Sequence, residues 1–476
     1  MDQKPPSKRF FDRVNLYFKQ LTGHDLSDAY PFPQDLKKVV PALAEGRTSA
    51  KAVSRTLCAA ATGSAAACTK PLDPSKKVVT TKPVQLQPVR PVVAAQAPAA
   101  ASVPPRPASL PPPSDPPRVL VGVERTPAGE LSRRPVFWEP AQQTNGFALV
   151  VGGSGSGKTE LLRALAAETS RQNVPVIVLD LHGDLDLPRL QSYQAARGGI
   201  GINPLELSSK DPLSGGPQTQ TEALLDAVRR AAPGFGRLQE SALREVIQDA
   251  YRRAGLTEEP RTWTSKPPSL AVVQELLTAA TKDPKRSSER RSLLGVSAAV
   301  SVAFADPVFR AANALSVANL VRSGGRVELD RLSRAAQVLV VDTLLRQVLG
   351  TLRSQGIVSA GRRYRVVVVL DEASLVKGAA ILDLIFKEAR KFGLALVLAS
   401  QEPGDFSASV RANAATLYAL RTNSAQQAQA LAKELSLNPT SLLKLQGPGD
   451  GFVKDRFGTR RLQVLSLNSE ERRALQ

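Results

Sequence analysis

Short apolar runs and helical repeats alternate along the chain from about residue 119 onward. Strand-type runs are followed by stretches in which apolar residues recur every three or four positions, as at Leu161, Leu162 and Leu165. The pattern predicts strands at 119–123, 136–138, 147–151, 174–180, 325–330, 366–370, 395–401 and 415–422, and a closing hairpin around Phe457. Strands that alternate with helices form parallel sheets, so the predicted fold class is α/β.

Composition divides the chain into three regions. Residues 119–470 carry the α/β pattern, interrupted by a mostly helical insertion at about 205–320. Residues 83–117 contain twelve prolines and three charged residues. Such a segment cannot bury a core, so we predict a disordered, extended linker there. Residues 1–82 are predicted to form a small basic region that is partly helical or disordered.

One helical face is predicted inside that N-terminal region. Phe10, Val14 and Leu21 lie on the same side of a helix, accompanied by basic residues. Two interpretations remain open for this face. It docks on a partner protein or a membrane complex, or it packs on its own domain.

The most specific motif lies between the strand at 147–151 and the helix that follows it. Gly152 is followed, after four residues, by Gly157, Lys158 and Thr159, which is the spacing of a phosphate-binding loop. Lys158 is predicted to bridge the β- and γ-phosphates and Thr159 to ligate Mg²⁺, so the predicted cofactors are ATP and Mg²⁺. The predicted nucleotide-binding residues are Gly152, Gly153, Ser154, Gly155, Ser156, Gly157, Lys158, Thr159 and Glu160.

A second motif follows another apolar strand. Asp371 is predicted to hold Mg²⁺ through water, and Glu372 to polarise the water that attacks the γ-phosphate. Gln401, at the end of a further apolar strand, is predicted to sense the γ-phosphate. Polar residues also end the strand at 174–180, and His182 among them has either a hydrogen-bonding role near the phosphates or an ordinary place in the loop.

The chain is basic, with a net charge of +20. That charge suits a polyanionic partner such as double-stranded DNA, or an anionic membrane surface. Residues 282–291 carry five basic and two acidic side chains, and they either contact a phosphate backbone or form a solvated loop. Cys58 and Cys68 have no matching ligand cluster, which favours a reducing compartment. No apolar run of membrane-spanning length is present, so we expect no transmembrane helix.

Together these motifs resemble the HerA–FtsK family of P-loop ATPases, which includes DNA pumps, conjugative coupling proteins and type IV secretion ATPases. The resemblance covers about residues 119–467 and rests on VVGGSGSGKT, VLDLHGDL, GINPLEL, VVVVLDEA, EARKFGLALVLASQ and YALRTNS. It implies a RecA-like core of the additional-strand type that works as a ring, usually a hexamer, with Glu372 as the hydrolytic residue and Gln401 as the sensor. It also implies an arginine finger that reaches a neighbouring subunit's ATP. Arg390 matches the finger position of the coupling proteins, and Arg421 is a second candidate.

The leading functional hypothesis is an ATP-driven motor that translocates double-stranded DNA, as in plasmid transfer, segregation or packaging. The alternative is a type IV secretion-type ATPase that acts on protein substrates at a membrane complex and docks through residues 1–82. A third interpretation is a module that binds ATP only as a switch, although the intact pair Asp371 and Glu372 argues against it. The expected location is cytoplasmic, with peripheral attachment to the inner membrane in the second case.

Overall fold

The computed structural model describes residues 15–16, 117–126, 129–195, 199–209, 215–358 and 364–475. Asn15 and Leu16 are the described residues of the N-terminal region, and both are helical. The predicted helical face at Phe10, Val14 and Leu21 lies outside the described residues. The rest of residues 1–82 and the predicted linker up to residue 116 lie outside the described residues.

One eleven-stranded sheet organises the described domain, with the strand order β2-β1-β11-β10-β9-β3-β8-β7-β4-β6-β5. The strands are β1 Val119–Arg125, β2 Leu131–Trp138, β3 Phe147–Val151, β4 Val176–Asp180, β5 Ser192–Gln194, β6 Gly325–Glu328, β7 Val366–Leu370, β8 Leu394–Ser400, β9 Thr416–Leu420, β10 Asp450–Asp455 and β11 Gly458–Val464. Neighbours from β9 through β5 run parallel, whereas β10, β11, β1 and β2 continue the sheet as antiparallel strands. The predicted α/β class is therefore confirmed.

Helices lie on both faces of this sheet. They are α1 Lys158–Arg171, α2 Pro217–Ala231, α3 Arg237–Arg253, α4 Leu270–Lys282, α5 Arg290–Phe304, α6 Val317–Ser323, α7 Arg334–Ser354, α8 Ala380–Glu388, α9 Ala408–Asn413, α10 Ala425–Leu435, α11 Pro439–Leu443 and α12 Glu470–Leu475. Helices α2 to α6 follow one another between β5 and β6, in the stretch for which the sequence predicts mostly helix.

Alternate side chains of the central strands enter two separate cores. Phe147, Leu149 and Val151 of β3 belong to the core that α2 to α8 also enter, whereas Ala148 and Val150 belong to the core formed with α1, β1 and β2. Because both faces are covered, the central strands are continuous apolar runs without polar alternation. This explains why the sequence shows them so clearly.

Helix α7 has the length and hydropathy of a membrane span, with a mean hydropathy of 1.3 in its most apolar window. It is the one such helix within the described residues, and 78% of that window is buried inside the fold. Leu339 and Val341 of α7, for example, are fully buried. We therefore interpret α7 as a core helix.

The strand register places the functional loops together. Val151 of β3 pairs with Ser400 of β8, Leu370 of β7 pairs with Leu398 of β8, and Leu179 of β4 pairs with Leu370. The carboxyl ends of β3, β8, β7 and β4 therefore meet at one edge of the sheet, which is where ligands bind in parallel α/β sheets.

Candidate active site

The loop between β3 and α1 is shaped by close backbone approaches. Gly157 has a φ of +97°, and a Cβ there would lie 2.6 Å from the amide nitrogen of Gly449. That same amide donates a hydrogen bond of 2.7 Å to the Ser156 carbonyl. A side chain at position 157 would thus be strained and would also push the loop off β10. The glycine that the motif requires is needed here for both reasons.

Lys158 points back into the loop that precedes it. Its Nζ donates hydrogen bonds to the carbonyl oxygens of Gly152 at 2.7 Å and Gly153 at 2.9 Å. Burial lowers the pKa of the Lys158 ammonium, while the carboxylates of Glu372 and then Asp184 act in the opposite direction. The lysine is therefore a partly desolvated cation that faces the carboxylates, and such a cation attracts a phosphate strongly.

Three carboxylates converge beside this lysine. Asp180, Asp184 and Asp371 each contribute an oxygen atom, and these oxygens lie within 4.8 Å of one another. Thr159 joins them, since its Oγ1 lies 3.3 Å from Asp184 Oδ2. A hydroxyl and several carboxylates at this spacing are the oxygen ligands that Mg²⁺ prefers.

Asp371 is the member whose charge is least compensated. Its Oδ1 accepts a hydrogen bond of 3.2 Å from the Leu181 amide, but Oδ2 is buried and has no partner among the described residues. Burial, followed by the charge of Asp180, raises the pKa of Asp371 to about 8. An ionised Asp371 therefore needs a cation, and bound Mg²⁺ would neutralise charge between this carboxylate and the phosphates.

Asp180 has a different role from its two neighbours. The guanidinium of Arg326 on β6 lies 2.7 Å from Asp180 Oδ2. The amides of His182, Gly183 and Leu185 donate to the two oxygens of Asp180 at 2.8–3.2 Å. Both oxygens are thus occupied, so Asp180 shapes the loop that carries Asp184. The sequence motif showed an aspartate at this strand end but not its partner on β6, a strand that lies 146 residues away.

Glu372 lies at the same edge and is only 13% exposed. Its Oε2 is 3.9 Å from Nε2 of His182, which places the histidine beside the predicted hydrolytic residue. The negative charge of Glu372 also acts to raise the pKa of both Lys158 and Asp371. The geometry is compatible with a general base that faces the phosphate site.

Gln401 follows the last residue of β8, the strand that lies between β3 and β7. The preceding Ser400 donates a hydrogen bond of 2.5 Å to Asp405 and so fixes the turn after the strand. Gln401 itself is exposed at the edge where the phosphate loop and Glu372 meet. Its sensing role remains a prediction.

The two arginine candidates differ in their surroundings. Arg390 is exposed and forms no ion pair with another described residue, while the nearby Glu388 pairs with Arg353 at 2.6 Å. Arg421 instead borders the phosphate loop of its own chain, because its carbonyl accepts a hydrogen bond of 2.9 Å from the Gly153 amide. The exposure of Arg390 favours a finger that reaches the ATP of a neighbouring subunit. The position of Arg421 favours a contact with the phosphates bound in its own chain.

Comparisons with known proteins show which family this geometry resembles. Residues 147–348 match the family model described as the central domain of the helicase HerA. The match covers less than half of the chain, and over that stretch it confirms the resemblance to the HerA–FtsK family of P-loop ATPases. That stretch contains the phosphate loop, the Asp180 loop and the helical insertion, while the β7 and β8 motifs lie beyond it.

Solved structures share the fold of this core. VirB4 of Thermoanaerobacter pseudethanolicus superposes with a TM-score of 0.58 at 18% identity, over 75% of this chain and 98% of that one. The plasmid coupling protein TrwB in complex with ADP and Mg²⁺ has a TM-score of 0.53 at 14% identity, over 75% and 97%. At these identities the likeness shows the fold.

A short segment also matches a protein with a named transport role. The DNA import protein CedB of Sulfolobus acidocaldarius is 40% identical over 62 residues. That segment is 13% of this chain and spans only 10% of CedB.

The first prediction separates nucleotide binding from hydrolysis. Lys158→Ala should lower ATP turnover by about 100-fold or more, because it removes the cation that faces the phosphates. Glu372→Gln should retain ATP affinity and slow single-turnover hydrolysis by about 10²–10⁴-fold, because it removes the proton acceptor and keeps the shape. Lys433→Ala, at an exposed position of α10, serves as the control. Normal chemistry with lost affinity in Glu372→Gln would contradict the assigned roles.

The second prediction concerns pH and the metal-free protein. The pKa of Asp371 is raised to about 8 from 3.8, so ionising it costs folding free energy as the pH rises between these values. In EDTA, wild-type protein should therefore lose stability relative to Asp371→Asn as the pH rises from about 5 to 8. Urea unfolding at several pH values measures this difference, with Asp383→Asn as the exposed control. A difference that does not change with pH would be inconsistent with a buried, uncompensated Asp371.

Proposed function

We propose that this chain is an ATP-hydrolysing ring motor that translocates double-stranded DNA. The observation that carries the hydrolytic part is the convergence of Lys158, Thr159, Asp371 and Glu372 at one edge of the sheet. A site built only to bind phosphate does not need a carboxylate base there, because a nearby negative charge weakens phosphate binding.

The chain's own residues would divide the work of hydrolysis. Loop amides and Lys158 hold and orient the phosphates, and Thr159 with Asp371 holds the metal. Glu372 polarises the attacking water and takes its proton, and Gln401 senses the γ-phosphate. Mg²⁺, when bound, supplies charge neutralisation at the phosphate oxygens.

DNA as the transported polymer is supported by charge and by the similarity to CedB, whose name records DNA import. The basic segment at 282–291 adds to this support. Arg286 there pairs with Glu245 and Glu289, but Lys282, Lys285 and Arg290 are exposed and form no ion pair with other described residues. Free cations on one segment suit contacts with a phosphate backbone.

A ring, most simply a hexamer, is part of the same proposal. Arg390 is exposed just after α8 and forms no ion pair with an acidic side chain among the described residues, so it is free to reach the site of a neighbour. We place the motor in the cytoplasm, with residues 1–82 as a docking element for a partner or for a complex at the inner membrane.

The third prediction tests the substrate with the full chain. Duplex DNA should stimulate ATP turnover, and the stimulation should fall steeply as salt rises, because phosphate contacts release counterions. The measurement is steady-state ATPase activity with duplex DNA, single-stranded DNA or no polymer. ATP turnover that does not change when DNA is added would instead favour the secretion-type ATPase. ATP binding without turnover would favour a module that binds ATP only as a switch.

The fourth prediction tests the finger. Arg390→Ala should lower turnover by about 10³-fold or more if its guanidinium stabilises charge on the transferred phosphoryl group. Mixing Arg390→Ala subunits with Lys158→Ala subunits should restore part of the activity, because some interfaces then combine an intact Lys158 site with an intact Arg390. If ATPase activity does not recover in rings that are shown to exchange subunits, Arg390 does not act on the ATP of a neighbouring subunit.

A further inference from the structure

Glu372 begins a short turn that leaves the sheet just after β7. The turn is a single 3-10 helix at Ala373–Val376, and the Leu375 amide donates back to the Glu372 carbonyl at 3.4 Å. Leu375 and Val376 are buried, so the turn is packed into the fold. Because Glu372 is bonded to so short a turn, the contacts that fix the turn also fix the direction of the Glu372 side chain.

The 373–376 turn is held from the helical insertion by Arg230 of α2. Arg230 Nη1 donates a hydrogen bond of 3.0 Å to the Leu375 carbonyl, and Nη2 contacts Oδ1 of Asp342 on α7. The side chains of Arg230 and Asp342 are both largely buried. One planar guanidinium therefore spans a buried carboxylate and the turn that follows Glu372, and its fixed fork of donors suits such a double contact.

Arg230 belongs to a cluster of two aspartates and two arginines, namely Asp226, Arg230, Asp342 and Arg346. Arg346 Nε donates 2.5 Å to Asp342 Oδ2, and Asp226 Oδ2 lies 3.5 Å from Arg230 Nη2 and 3.6 Å from Arg346 Nη2. A buried cluster of this kind adds little to folding stability, because the loss of hydration offsets the attraction between the charges. What it does supply is a fixed place for the Arg230 guanidinium.

Two further contacts show how the segment after Glu372 is held. Asp226 accepts a hydrogen bond of 3.4 Å from the amide of Ala380, the first residue of α8. Helix α2 therefore bonds this segment at two points, the Leu375 carbonyl and the Ala380 amide. Arg334 of α7 also contacts the Ser374 hydroxyl, but its side chain is exposed. Arg230 is thus the buried side chain that holds the backbone of the turn itself.

We propose that Arg230 is a positioning residue for ATP hydrolysis, which fixes the 373–376 turn so that the Glu372 carboxylate faces the attacking water. A general base must lie within hydrogen-bond reach of the proton that it takes, and a displacement of about 1 Å can cost a large part of the rate. Arg230 lies on α2 and not in the phosphate loop, so its loss should slow the chemical step and leave ATP affinity unchanged. This inference rests on the proposed ATPase function.

The test compares two charge-balanced double variants of the full chain. Arg230→Met with Asp342→Asn removes the hydrogen bond to the Leu375 carbonyl. Arg346→Met with Asp342→Asn is the matched control, because Arg346 belongs to the same cluster but donates no hydrogen bond to the 373–376 turn among the described residues. Each double variant loses one positive and one negative charge. Single-turnover ATP hydrolysis, the dissociation constant of ATP with Mg²⁺ and urea unfolding are measured for both.

We expect the Arg230 double variant to slow single-turnover hydrolysis by about 10-fold or more while the ATP dissociation constant stays within about 2-fold of wild type. The control should hydrolyse ATP within about 2-fold of the wild-type rate and unfold at a similar urea concentration. Equal slowing in the two variants would overturn the inference, because the loss would then come from the charges of the cluster. Wild-type hydrolysis in both would overturn it as well.

Arg230→Lys is the second variant, and it decides the question if the double variant does not fold. It keeps a positive charge beside Asp342 but lacks the planar fork that contacts Asp342 and Leu375 together. We expect it to slow single-turnover hydrolysis by about 3-fold or more at unchanged ATP affinity, and a wild-type rate would overturn the inference. A wild-type chain that binds ATP without hydrolysing it would instead contradict the proposed ATPase function, so the two failures are distinguishable.

Discussion

Uncompensated negative charge at the carboxyl edge of the sheet is the constraint on which the site depends. Asp180, Asp184 and Asp371 bring their oxygens within 4.8 Å of one another, and Glu372 adds a fourth carboxylate nearby. The fold neutralises one of them, Asp180, with Arg326 and backbone amides. It leaves Asp371 protonated at neutral pH or in need of a metal, because burial raises its pKa to about 8.

The helical insertion is connected to this edge by a second charged cluster. Arg230 of α2 contacts the buried Asp342 of α7 and donates 3.0 Å to the carbonyl of Leu375, three residues after Glu372. Asp226, also on α2, accepts from the Ala380 amide at 3.4 Å. The residues that follow Glu372, the predicted hydrolytic residue, are therefore bonded to the insertion. These bonds connect the segment after Glu372 to α2.

Much of this arrangement could be predicted from the sequence because it is encoded locally. The strands β3, β7 and β8 are buried on both faces and read as unbroken apolar runs, and the phosphate loop has a fixed spacing of glycines and lysine. The roles of Asp180 and Asp184 could not be read in this way. They depend on contacts with Arg326 and Thr159, and those contacts exist only once the sheet is assembled.

The same holds for the short strand β5, whose three residues lack an apolar run. The sequence left His182 either a hydrogen-bonding role near the phosphates or an ordinary place in the loop, and its place beside Glu372 required the pairing of β4 with β7. Local patterns thus predicted the phosphate loop together with Asp371 and Glu372, whereas tertiary contacts determine the places of Asp180, Asp184 and His182.

The most direct test of this account is a structure of the chain with a non-hydrolysable ATP analogue and Mg²⁺. The account predicts a metal between Thr159 Oγ1 and the carboxylates of Asp371 and Asp184. It also predicts that Lys158 Nζ has left the carbonyls of Gly152 and Gly153 for phosphate oxygens. A bound nucleotide with Lys158 still on those carbonyls, and no metal near Asp371, would contradict it.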